Sequence, residues 1–141
     1  MSAMINPVIT MVARPLRARL LRIGEPLPSN LNIEFPSIDP TWTWVVEEAG
    51  IITAALIACP GPGIAILLKI CSSPLASSKV SLKLLRKSII DMYNRGYMAY
   101  MVCLDISRPL EAKLARIAIK AGGLKMGQGI IIAGPTNIKG Y

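Results

Sequence analysis

Among the charged side chains of this sequence, cations outnumber acids two to one, 16 Lys and Arg against 8 Asp and Glu. There is no histidine, which removes the commonest general base, the commonest metal ligand and every Ser-His or Cys-His pairing. Cys59, Cys71 and Cys103 lie far apart and no CxxC pair occurs. They read as small buried apolar residues, with one disulfide left open, rather than as a zinc site or a disulfide framework. The acids form no paired constellation: Glu47 and Glu48 are adjacent, so around a helix they diverge and serve its dipole. The run from Gly127-Gln128-Gly129 to Gly134 has neither GxGxxG nor Walker spacing and reads as turn-forming or close-packing glycine. These absences predict no catalytic residue, no metal ligand, no cofactor and no enzyme.

What remains is basic. Lys79, Lys83, Arg86 and Lys87 recur at helical spacing, as do Lys113, Arg116 and Lys120. Arg14, Arg17, Arg19 and Arg22 fall in an opening segment that has no acid. Cations in a line suit a polyphosphate, because affinity comes from neutralising phosphates and releasing counterions. A merely solvated helix face would mix Glu with Lys at i,i+4, and Glu is absent from the first stripe and nearly so from the second. These bases are therefore the expected nucleic-acid contacts. Tyr93, Tyr97 and Tyr100 fall on one side of the same helical stretch, where stacking on bases and helix–helix packing are both open, the second favoured by the spacing.

The elements that must position these residues read as helices. The chain has 141 residues, suited to one core. Residues 1–40 read as an arm and connector: a short helix after Pro15, a stop at Gly24, then extended chain around Pro26, Pro28, Pro36 and Pro40. Residues 41–123 read as a helical bundle. Thr41 is the expected N-cap of a first helix that runs to Cys59, Pro60-Gly61-Pro62-Gly63 breaks it, and a short helix spans Ile64 to Cys71. A long helix is predicted from about Ser78 to Leu104, carrying Leu82, Leu85, Ile89, Met92 and Tyr93 on one face with Gly96 interior. Ser107 and Pro109 open a closing helix with Leu110, Leu114, Ile117 and Ala121 on its apolar face, stopped by Gly122-Gly123. Residues 124–141 form a glycine-rich tail, read as a strand or an extended segment. The predicted class is all-α, a helical bundle with an extended basic N-terminal arm and this tail.

Composition says what such a bundle would meet. Charged residues are 17% of the chain against roughly 25% in an ordinary soluble domain, so much apolar surface would face partners or lipid. The net charge of +8 favours an anionic partner. Met1-Ser2-Ala3-Met4 does not open a secretory signal, while the acid-free arginines faintly resemble a mitochondrial presequence. The uncharged stretch Ala49–Leu68 has the length of a membrane span, with Lys69 and the following bases on a cytoplasmic side. Two prolines and two glycines in its middle would strand backbone groups in lipid. A membrane-embedded structural subunit of an organellar or viral complex is the alternative reading, and a divergent organellar ribosomal protein a third, against which the low charge content argues.

The layout resembles the major coat proteins of filamentous and rod-shaped double-stranded DNA viruses of hyperthermophilic archaea. The residues that carry the resemblance are the proline-interrupted basic arm, the turn Gly61-Pro62-Gly63, the Tyr93/Tyr97/Tyr100 helix, and Pro109 before a closing helix. It implies a virion coat protein that dimerises, with itself or a homologous coat protein, and packages double-stranded DNA in a helical assembly. The contacts would then be drawn from Arg14, Arg17, Arg19, Arg22, Lys79, Lys83, Arg86, Lys87, Lys113, Arg116 and Lys120. The glycine-rich tail and the three cysteines depart from that pattern.

Overall fold

The uncharged run that ends at Leu68 forms strands, and this overturns the all-α expectation. In the computed structural model, residues 16–33, 37–74, 76–77, 79–120, 122–126 and 131–135 are described. Strand β2 (Thr43–Glu48), β3 (Ile51–Pro60) and β4 (Ile64–Ser72) make consecutive antiparallel pairs. Every residue of β3 from Ile52 to Ala58 is buried. A strand covered on both faces shows no alternation, and a short apolar run cannot be told from a buried helix by periodicity. The Pro-Gly turn that was expected to separate two helices closes the β3–β4 hairpin. Gly63 takes φ 73° and Gly61 N donates to Ile64 O at 2.7 Å, a conformation glycine adopts without steric cost.

The arm's expected helix is also a strand, β1 (Leu16–Leu20), paired antiparallel with β2. Its Leu16, Ala18 and Leu20 pack toward the larger core cluster, at the strand period of two. The connector from β1 to β2 holds 3₁₀ turns at Ser29–Leu31 and Pro40–Trp42. Asp39, not Thr41, is the cap of the second: its Oδ1 accepts from Thr41 N at 2.9 Å.

Helix α1 (Val80–Asn94) follows β4 and ends well before Leu104. Gly96, expected inside the helix, closes it at φ 96°, with Tyr97 N donating to Met92 O at 3.0 Å. The chain then forms β5 (Ala99–Cys103), α2 (Pro109–Lys120), β6 (Leu124–Met126) and β7 (Ile131–Pro135). Gly122 at φ 107° stops α2, in agreement with the sequence. Among the described residues the sheet has seven strands in the order β1-β2-β3-β4-β5-β7-β6. All neighbours are antiparallel except β4 and β5, which run parallel with α1 between them.

The larger core joins this sheet to both helices. Trp44, Val46, Ala54, Leu56 and Leu67 from the strands meet Val80, Leu84, Leu85, Ile89 and Met92 of α1 and Leu114, Ala115 and Ala118 of α2. Trp44 is fully buried and donates from Nε1 to Asp91 Oδ2 at 2.8 Å, tying β2 to α1. A smaller cluster of Leu21, Leu31, Val45, Ile52 and Ala55 fills the opposite face under the β1–β2 connector.

Candidate functional site

A parallel strand pair that separates leaves a cleft at its C-terminal end, and this sheet has one. β4 and β5 pair only through Ile64–Leu67 and Ala99–Val102. A β-bulge between Ile57 and Ala58 on the β3–β4 ladder throws Leu68 out of register at the same point, bending β4 where its contact with β5 stops. Beyond it lies a cavity of about 50 Å³, walled by Lys69 and Ile70 of β4, Cys103 at the end of β5 with Leu104 after it, and Arg108 and Glu111 at the start of α2. In open α/β sheets, ligands bind outside the carboxyl ends of parallel strands.

The opened edge of β4 offers backbone polar groups to that cleft. Ser73 N donates to Thr53 O on β3 at 2.7 Å. By strand alternation, Ser72 and Ile70 then turn their N–H and C=O groups the other way, toward the side β5 has left. An extended ligand carrying amides can complete such an edge.

The opposite wall is a carboxylate-rich turn. Asp105 Oδ1 accepts from Ser107 N at 3.0 Å and Ser107 Oγ at 2.6 Å, bonds that hold its carboxyl below the usual range. Glu111 Oε1 accepts from Asp105 N at 3.2 Å, and Arg108 Nη1 lies 3.6 Å from its Oε2. Glu111 is a carboxylate fixed at the mouth by a backbone donor. Cys103 is exposed there, whereas Cys71 turns to the far face, with burial pushing its thiol up. Its Sγ lies 3.7 Å from Ala55 O.

The bases expected to bind nucleic acid do not form one surface. Arg14 lies outside the described residues. Arg17 and Arg19 point to the sheet face away from the α1 core, since their neighbours Leu16, Ala18 and Leu20 pack into it. Arg19 is committed to acids: its guanidinium grips Glu25 at 2.8 and 2.7 Å and Glu47 at 2.8 Å. That grip raises the arginine's pKa and holds Glu25 down to about 2. Arg22 is exposed. Lys79, Lys83 and Arg86 border a depression of about 470 Å³ with Leu16 and Leu82. Lys87 pairs with Asp91 at 3.1 Å. Lys113, Arg116 and Lys120 are exposed along α2. The tyrosines are dispersed as well: Tyr93 is on α1, Tyr97 packs on Trp42 at 5.3 Å, and Tyr100 is buried in β5. Among the described residues no group of three or more Cys, Asp and Glu stands ready for a metal, and no helix is long and apolar enough to cross a membrane.

The fold defined by this sheet and its open parallel junction is that of acetyltransferases. The chain superposes on ribosomal-protein-S18-alanine N-acetyltransferase from Escherichia coli with a TM-score of 0.64, at 18% identity, over 86% of this chain and 94% of that one. It also superposes on IAA acetyltransferase from Bacillus cereus (TM-score 0.63, 14% identity, 86% and 99%). A third match is a GNAT family acetyltransferase from Elizabethkingia anophelis with acetyl-CoA bound (TM-score 0.62, 12% identity, 85% and 97%). No protein-family model matches the sequence, and no curated protein matches it. The likeness is one of fold, and it corrects the earlier reading. The coat-protein resemblance and the coat dimer on double-stranded DNA rested on a helical bundle that is not there, and the expectation of a non-enzyme rested on the lack of a catalytic motif; the structural neighbours are acetyltransferases. The membrane alternative rested on a stretch that forms β3 and β4 of the sheet.

Sequence reasoning missed Cys103, Asp105, Glu111 and the β4 edge as site elements. Two signals were present: Ala49-Gly50 and the Pro-Gly run both sit between apolar stretches of strand length, the pattern of hairpins.

Proposed function

We propose that this chain is an acyltransferase that takes an acyl thioester of the acetyl-CoA type in the β4/β5 cleft and passes the acyl group to an amine. The observation that carries this reading is the loss of parallel pairing after Leu67 and Val102, which opens a backbone edge at the C-terminal ends of both strands. When bound, the thioester supplies an acyl carbon bearing a thiolate leaving group. Ile70 and Ser72 pair with amides of the donor's arm and fix it along β4. Glu111 receives the proton that the amine gives up as its nitrogen bonds to the acyl carbon. The C–S bond pair departs with sulfur, which leaves as a thiolate and is protonated from water.

The residues fit the donor's arm better than a phosphate held by backbone amides, because the described amides of Ala76, Ser77 and Val80, which lead into α1, already have partners. Calorimetric titration with acetyl-CoA and with longer acyl thioesters tests the reading, together with a thiol-release assay over a panel of amines. Binding of at least one thioester, with amine-dependent thiol release, is expected. No binding of any acyl thioester at millimolar concentration would sink the proposal.

A further inference from the structure

Residues 73–79 lead from β4 into α1, and a helix N-terminus offers amides and a dipole to an anion. Here the described amides of Ser73, Ala76, Ser77 and Val80 are spent inside the protein. Ala76 N donates to Ser73 O at 3.0 Å and Val80 N to Ser77 O at 3.3 Å. Ser73 N is held by Thr53 O, and Pro74 has no N–H to offer. Ser77 N donates to Glu48 Oε1 at 2.9 Å, and Glu48 is only 1% exposed. This carboxylate is held at the end of β2, in register with Leu16 of β1 and Ile51 of β3. No glycine occurs from Ser72 to Asn94, so no residue there lets backbone approach a phosphate as closely as a glycine would.

We infer that Glu48 is the built-in anion of this helix end, and that the chain recognises its acyl donor by the thioester-bearing arm alone, without seating the donor's phosphates. A phosphate entering beside a buried carboxylate would meet like-charge repulsion in a poorly screened place. The consequence is a specificity: an acyl-pantetheine is as good a ligand as the corresponding acyl-CoA. The inference rests on the acyltransferase reading above. The exposed Lys79, Lys83 and Arg86 attract any polyanion through water, so the comparison belongs at about 0.5 M salt, where screening acts within roughly 3–8 Å.

The test is calorimetric titration of the full chain with S-acetylpantetheine and with acetyl-CoA. The expected dissociation constants agree within about threefold, a difference below 1 kcal/mol. In Glu48→Gln, which keeps the shape and removes the charge, acetyl-CoA should gain about tenfold over S-acetylpantetheine as the repulsion goes. An advantage for acetyl-CoA beyond threefold in the native chain overturns the inference and leaves the acyltransferase reading standing. So does a folded Glu48→Gln whose preference is unchanged. If neither thioester binds, both fall. Should Glu48→Gln fail to fold, the native ratio decides, with the Ser77 amide resonance as a second readout: it should not shift when acetyl-CoA is added.

Discussion

The two halves of this sheet treat their backbone in opposite ways. From β1 to β4 the strands pair antiparallel without a gap wider than a bulge, and β2 and β3 are covered on both faces, by α1 on one side and the β1–β2 connector on the other. Between β4 and β5 the pairing is parallel, spans four residue pairs and stops. The inner strands of the closed half, β2 and β3, pair their backbone polar groups with neighbouring strands on both sides. The open junction turns the groups of Ile70 and Ser72 toward a cleft and lines it with side chains that can move a proton or hold charge. A rigid half that fixes one wall of an open half is how a sheet presents a site without losing its own stability.

The largest effect that separates the halves should come from the closed one. Leu84 is fully buried between α1 and the strands, and Leu84→Ala should cost about 2–5 kcal/mol through lost transfer energy and a residual cavity. Chemical denaturation reads it as a fall in midpoint with an unchanged slope. A cost below about 1 kcal/mol would show that the closed half is not packed as described. At the open junction, Glu111→Gln should lower kcat by about 100-fold with stability nearly unchanged. Loss of activity together with stability would mean that the cleft and the core are not separable.

The same contrast explains what the sequence could disclose. α2 was legible because it is amphipathic, with Leu114 and Ala118 buried and Lys113, Arg116 and Lys120 exposed, and glycine stops it. β3 was not legible, because burial on both faces erases the alternation that marks a strand, and Ala54, Ala55 and Ala58 suit a helix intrinsically. The long helix was overrun because Met98, Tyr100 and Val102 of the β5 region continue an apolar pattern past Gly96. The glycine's stop was the stronger signal. The basic residues were visible as types, but their grouping was not. Arg17 and Arg19 lie on the face opposite α1, and Arg19 is neutralised by Glu25, six residues on, and by Glu47, which only the β1–β2 pairing brings near. The cleft was hidden for a related reason: it consists of a pairing that ends, and no residue type marks such an end.

Smaller effects sharpen the boundary of the closed half. Glu25, held down to about 2 by Arg19, lies below its unfolded value, so its contribution is complete above about pH 4.5 and is lost as pH falls toward 2. With solvent screening this is about 0.5–1 kcal/mol. In Arg19→Met the acid midpoint of unfolding should move up and the pH slope between about 4.5 and 2 should flatten. An unchanged slope would show that the pair contributes nothing at the edge of the sheet.

The β2–β3 hairpin carries the finest prediction. Its two turn residues, Ala49 and Gly50, take φ of 51° and 84°, the pair of left-handed conformations that matches the twist of flanking strands. Gly50 does this freely, whereas Ala49 places its Cβ against the following carbonyl, at a cost of roughly 1–2 kcal/mol. Asparagine tolerates the same conformation and is the preferred partner of glycine in this turn. Ala49→Asn should therefore stabilise the chain by about 0.5–1 kcal/mol, read as a higher denaturation midpoint. Acyl-thioester affinity should not change, because the hairpin belongs to the closed half while the cleft depends on where β4 leaves β5. A stabilised chain with altered affinity would mean that the β2–β3 turn, which directly precedes β3 and follows Glu48, helps set the position of that carboxylate at the α1 N-terminus.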